Sequence, residues 1–183
     1  MMLHLRRISP IGRRNASLWD GVRAFSSTDQ SSIKSSVSSA LDLLSLKPGR
    51  TLIHNCGDGD EGKAVIQLAK ERKLQTITII EDKPGNPETI EELKALGGDI
   101  VVPESYTKTW YMKRLVNELT PAAGINLGEG YQVTAVGKAV ADGGTFISLG
   151  KKLPTHVVYD GENRKSIRWD EFAKGKKLKI VNM

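Results

Sequence analysis

The sequence is poor in the residues from which small chains build cross-links and metal centres. Across 183 residues it has one cysteine, Cys56, and three histidines, His4, His54 and His156. A single thiol excludes an intrachain disulfide framework, and no two histidines share the spacing of a local zinc site. Aromatic residues make up only 5%. No apolar run approaches the roughly eighteen residues that cross a bilayer, so no membrane span is expected. What remains is 39% hydrophobic and 26% charged, the composition of one globular domain with an apolar core.

Acids are nearly missing from the first 25 residues. "MMLHLRRISPIGRRNASLWDGVRAF" sets Arg6, Arg7, Arg13, Arg14 and Arg23 against Asp20 alone. Arg-rich, acid-poor composition is that of a mitochondrial transit peptide, with an ordinary basic tail as the alternative. Arg23, two residues before Phe25 and followed by serines, sets the expected cleavage after Phe25, and the expected location is the mitochondrial matrix. Loss of five arginines and one acid lowers the formal net charge from +6 to about +2. Most of the basicity thus lies in the leader, and it does not indicate a nucleic-acid partner.

The serine-rich stretch 26–38 reads as a linker running into a short helix from Ser39 to Leu46, which Pro48 and Gly49 end. Residues 39–183 read as one domain. Strands are expected at Thr51 to Asn55, Thr76 to Ile80, Asp99 to Val102, Gly124 to Asn126, Thr145 to Leu149 and Lys177 to Val181. Between them, Gly62, Val65, Ile66 and Ala69 fall at helical spacing, as do Met112, Leu115, Val116 and Leu119, and Val133, Val136, Gly137 and Val140. A further helix spans Pro87 to Leu96, with Gly97 and Gly98 at its exit. Thr155 to Asp160 reads as a short strand or extended loop, and the following stretch as an irregular or short helical connection. Regular alternation of strand and helix predicts an α/β fold, a doubly wound parallel sheet of the Rossmann type.

Gly57, Gly59 and Gly62 form G-x-G-x-x-G between the first strand and the first core helix, the context in which this pattern cradles a dinucleotide pyrophosphate. Gly57 suits a tight turn, Gly59 a close approach to phosphate, and Gly62 close packing of helix on sheet. Asp58, Asp60 and Glu61 place negative charge in the same loop. At about 5 Å and an effective dielectric of about 20, one carboxylate repels a phosphate charge by roughly 3 kcal/mol. That is enough to cancel the helix terminus's attraction of about 0.3–2 kcal/mol. Lys63 is expected to offset part of the repulsion. After the second strand, Glu81 favours the ribose hydroxyls of NAD, whereas Lys83 would suit the 2′-phosphate of NADP. A calcium loop fails on spacing, because Ala69 stands where an EF-hand needs its twelfth-position glutamate. No metal is expected.

"LKPGRTLIHNCGDGDEGKAVIQLAKERKLQTITIIEDKP", with "ELKALGGDIVV", "GINLGEG" and "VADGGTFISLGK", resembles the cofactor domain of mitochondrial trans-2-enoyl-thioester reductases of the medium-chain dehydrogenase/reductase superfamily. The resemblance runs from about Leu46 to Lys152. It implies an NADPH-dependent reduction of enoyl thioesters in mitochondrial fatty-acid synthesis. It also implies a second, barrel-like catalytic domain, which is expected to be missing from this chain. Tyr106, Tyr111, Tyr131 and Tyr159 do not match the family's catalytic tyrosine, so no catalytic residue is expected. Two departures stand out: Asp60 and Glu61 replace small or apolar loop residues, and Glu81 replaces an arginine. Two functions follow as expectations. One is a non-catalytic or partner-dependent subunit among other mitochondrial proteins; the other is an enoyl reductase, in this form a truncated gene product. Trp110 and Trp169 are candidates for partner anchors or for core.

Overall fold

The computed structural model describes residues 27–157 and 166–183. The leader expected over residues 1–25 lies outside them, as do Tyr159 and the first five residues, 161–165, of the unassigned connection.

Among the described residues, eight strands and six α-helices follow one another, mostly in alternation. The order is α1 Ser27–Leu44, β1 Thr51–His54, α2 Asp60–Glu71, β2 Gln75–Ile80, α3 Asn86–Leu96, β3 Ile100–Pro103, α4 Trp110–Leu119, β4 Ala123–Asn126, α5 Tyr131–Ala139, β5 Thr145–Ser148, β6 His156–Val157, β7 Ile167–Arg168, α6 Trp169–Gly175 and β8 Lys179–Asn182. A 3₁₀ turn, Glu104–Lys108, precedes α4. Six parallel strands pair in the order β3-β2-β1-β4-β5-β8. This is the doubly wound Rossmann arrangement, and its strand order reverses between β1 and β4.

The inner strands β2, β1, β4 and β5 are buried on both faces, which is why the sheet reads as short apolar runs rather than alternating patterns. On one face Ile53, Ile77, Phe146, Met112, Val136, Trp169 and Phe172 share a core. On the other, Leu52, Ile125 and Ile147 pack against Val65 and Ala69 of α2 and Val37, Leu41 and Leu44 of α1. Trp169 is 5% exposed and stacks edge-on against Phe146, so it is core; Trp110 is 64% exposed.

The serine-rich segment is the main correction. Within the stretch 26–38 expected to be a linker, the described residues are helical: the chain is helical from Ser27 through Leu44. Ile33, Val37, Ala40, Leu41 and Leu44 make a helical stripe between the serines, and it buries against α2. Arg72 fastens the seam, donating to the Ser38 hydroxyl at 2.9 Å and pairing with Asp42 at 2.8 Å. The unassigned connection holds a two-stranded antiparallel ribbon, β6 with β7, and the short helix α6.

Candidate functional site

The strand order reverses between β1 and β4, and in doubly wound sheets the ligand crevice lies at that point, between the loops that follow the two strands. A buried chain of amides forms its floor. Asn55 Nδ2 donates to Asn126 Oδ1 at 2.7 Å, and Asn126 Nδ2 donates to the Ser148 hydroxyl at 3.0 Å. That hydroxyl donates in turn to the Lys151 carbonyl at 2.8 Å. The Leu127 N–H reaches Asn55 Oδ1 at 2.6 Å. One network therefore fixes the ends of β1, β4 and β5 relative to each other.

His54, beneath it, is fully buried. Its Nδ1–H donates to the Asn55 carbonyl at 3.3 Å, so its Nε2 accepts from the Thr78 hydroxyl at 2.9 Å. Burial lowers its pKa to about 4. It is a neutral core residue that ties β1 to β2.

The chain leaves β1 through Cys56, whose φ of +49° is a left-handed conformation that turns strand toward helix. The Cys56 N–H and thiol both approach Gln132 Oε1 of α5, at 3.3 and 3.7 Å. Burial pushes the thiol pKa up, assisted by Asp58 and opposed by Lys151, so the thiol stays protonated and is a poor nucleophile.

The three glycines meet different surroundings. A Cβ on Gly57 would lie 2.1 Å from Thr78 Cγ2, and one on Gly62 would lie 2.2 Å from the Cys56 carbonyl oxygen. Both are required by packing. A Cβ on Gly59 would come only to 3.4 Å of the Cys56 oxygen, and its φ of −79° suits any residue. Nothing inside the chain demands glycine at 59. A ligand approaching the backbone there would supply the demand. Gly59 caps α2 without a side-chain hydrogen bond, which leaves the helix's positive end facing the crevice.

The charges around this loop are sorted by contact. Asp60, at the start of α2, borders a cleft with Gln30, Ile33 and Lys34 of α1. Lys63 turns to Glu92 of α3 at 2.7 Å rather than to the loop. Asp58, between the first two glycines, forms an ion pair with Lys83, and the hydrogen bond raises the Lys83 pKa. Asp82 accepts from the N–H and hydroxyl of Ser105, at 2.8 and 2.9 Å. Glu81 is exposed, and its charge is felt at both Cys56 and Lys83. Of the six expected site residues, Gly57, Gly59 and Gly62 lie in the turn from β1 into α2, Glu81 and Lys83 follow β2 with Lys83 paired to Asp58, and Lys63 pairs with Glu92.

Sequence reading missed Lys151, which follows Gly150 after β5 and contributes positive charge at Cys56. Its only signal was the "LGK" run at a strand end. A second concavity, about 350 Å³ between α4 and α5, is lined by Lys108, Met112, Lys113, Tyr131 and Lys138 and includes none of the expected site residues. Among the described residues, no cluster of histidine, cysteine and carboxylate side chains could hold a metal ion. No helix of the described residues is long and apolar enough to cross a membrane.

No family model matches the chain. It is 36% identical over 110 residues to mitochondrial enoyl-[acyl-carrier-protein] reductase of Dictyostelium discoideum, covering 60% of this chain and 31% of that protein. The chain thus spans about a third of the length of the curated relatives it matches. Among solved structures, an Etr1p mutant in complex with NADP and crotonyl-CoA superposes with a TM-score of 0.69 at 19% identity, covering 84% of this chain and 42% of that one. The mitochondrial 2-enoyl thioester reductase heterodimer from Candida tropicalis gives 0.64 at 19% identity, covering 81% and 41%. The chain is therefore similar to enoyl thioester reductases over their Rossmann portion, and the solved structures bear out the fold.

Proposed function

We propose that this chain is a mitochondrial dinucleotide-binding domain of the enoyl-thioester-reductase type, acting in the matrix as a non-catalytic or partner-dependent subunit of a larger protein assembly. The observation that carries the cofactor part is Gly59. It is a glycine with no steric reason inside the chain, set at an uncapped helix end and between two glycines that packing does require. The site fits the cofactor: Gly59 and the α2 terminus would hold the pyrophosphate, and Glu81 the adenosine ribose. A nicotinamide cofactor, when bound, supplies hydride. The chain's own residues bind and orient it.

Partner dependence is supported by the side chains around the crevice. Among the described residues, His54 is sealed in the core and neutral, the Cys56 thiol is held protonated, and Tyr111 stands on α4 beside the exposed Trp110. None is a credible acid or base for an enoyl thioester. Exposed Trp110 and Tyr111, 64% and 63% accessible, are suited to anchor a partner. Titration of the purified chain with NADH and NADPH by fluorescence tests the site, and saturable binding below millimolar is expected. A crotonyl-thioester assay tests the rest: turnover by the chain alone would sink partner dependence.

The second reading, an enoyl thioester reductase of fatty-acid synthesis present here in truncated form, is favoured by the 36% identity to a named reductase. Mapping the transcript upstream of Met1 and past Met183 separates the two.

A further inference from the structure

Resting on the dinucleotide reading above, we infer that the crevice selects a dinucleotide with free adenosine ribose hydroxyls, NAD(H), over one carrying a 2′-phosphate, NADP(H), and that the Asp58–Lys83 ion pair enforces the choice. The NADP-bound relative of similar fold makes this a prediction against resemblance.

Three placements carry it. In dinucleotide folds the loop after β1 takes the pyrophosphate and the residues ending β2 take the adenosine ribose. A 2′-phosphate needs a cation at that second loop, and Lys83 is the basic residue there. Its ammonium is paired with Asp58 of the glycine loop, so its charge is already balanced. Asp82 is also engaged, on the N–H and hydroxyl of Ser105. Glu81, directly after β2, is exposed and lies close enough to act electrostatically on both Lys83 and Cys56. The second loop thus offers one acceptor suited to two hydroxyl donors and repulsive to a phosphate.

The pair acts in two ways. It removes the cation that a 2′-phosphate would seek. It also draws the Asp58 carboxylate toward the second loop, where Lys83 compensates its charge beside the pyrophosphate position. A loop that reads as hostile to phosphate becomes tolerable to a pyrophosphate but not to a third phosphate.

Titration of the full chain with NADH and NADPH at matched ionic strength tests the inference. NADH is expected to bind at least about tenfold more tightly. Asp58→Asn, which keeps the shape and releases Lys83, should narrow the ratio by strengthening NADPH. Glu81→Arg should invert it. Circular dichroism confirms that both variants fold, as expected for an exposed Glu81 and a partly buried loop Asp58. Equal or tighter NADPH binding by the unaltered chain, or a ratio that moves in neither folded variant, overturns the inference and leaves the site reading standing. Failure of both dinucleotides to bind at millimolar concentration overturns the site reading and the inference together.

Discussion

Asn55 and Asn126, 71 residues apart, meet inside the protein with 2.7 Å between Nδ2 and Oδ1, and through this contact the two strands flanking the crevice are locked in register. Both side chains are fully buried. Asn126 also donates to Ser148 and accepts from the Gly128 N–H at 3.2 Å. Replacing it by leucine leaves three polar groups buried without that partner.

Each stranded group costs about 1–3 kcal/mol, relieved in part by relaxation of neighbours. Asn126→Leu is therefore expected to destabilise the fold by roughly 3 kcal/mol or more, read as a lower urea midpoint with an unchanged slope. Loss under 1 kcal/mol would show that the network is not continuous in solution.

The glycines should separate packing from binding. Gly57→Ala drives a methyl into Thr78 and Gly62→Ala drives one into a backbone carbonyl, so each should cost at least about 1–3 kcal/mol of overpacking strain. Gly59→Ala meets only an ordinary contact and should change stability by less than about 1 kcal/mol. If the loop binds a pyrophosphate, Gly59→Ala alone should weaken dinucleotide binding while leaving the melting curve in place. Equal effects of all three substitutions on melting would contradict this sorting.

The helical role of the serine-rich segment is open to the same kind of test. Leu41 is 2% exposed and faces α2. Leu41→Ala should destabilise by about 2–5 kcal/mol, the usual loss for a buried leucine. Val37 lies inside the segment first read as a linker and is fully buried in the same cluster. Val37→Ala should therefore also cost about 1–3 kcal/mol, and a flat result there would return the segment to the reading it first invited.

The reasons for that first reading are physical. The strands were legible because buried parallel strands are written in local runs of β-branched residues, as in "TITII". Helix α1 was not, because eight serines among Ser26 to Ser39 dominate the composition there, and its apolar stripe appears only when Ile33, Val37, Ala40, Leu41 and Leu44 are placed on a wheel. β6 and β7 have two residues each and no period to read. At the crevice the glycines could be read by spacing alone. The fate of the acids could not, since Asp58 finds Lys83 across 25 positions and Asp60 turns to a helix that the sequence had concealed. Backbone motifs are local; charge pairing is settled by tertiary neighbours.

His54 gives a pH prediction whose sign follows from its burial. Its pKa is about 4 in the folded chain, against 6.5 for an ordinary histidine. Below pH 6.5 the unfolded chain takes up a proton that the folded chain refuses, so stability falls as pH drops from 6.5 toward 4 and is fully present above pH 7. At about 1.4 kcal/mol per unit of separation, the loss between pH 7 and pH 5 is about 2 kcal/mol. Carboxylates contribute to acid unfolding too, and a variant isolates the histidine. His54→Gln removes the titration at that position, so its stability should fall less than the parent's over the same interval, by about 2 kcal/mol. Urea unfolding of both chains at pH 7 and pH 5 measures the difference. Parallel pH dependence in the two would mean that His54 takes up its proton within the folded state, and that burial does not keep it neutral.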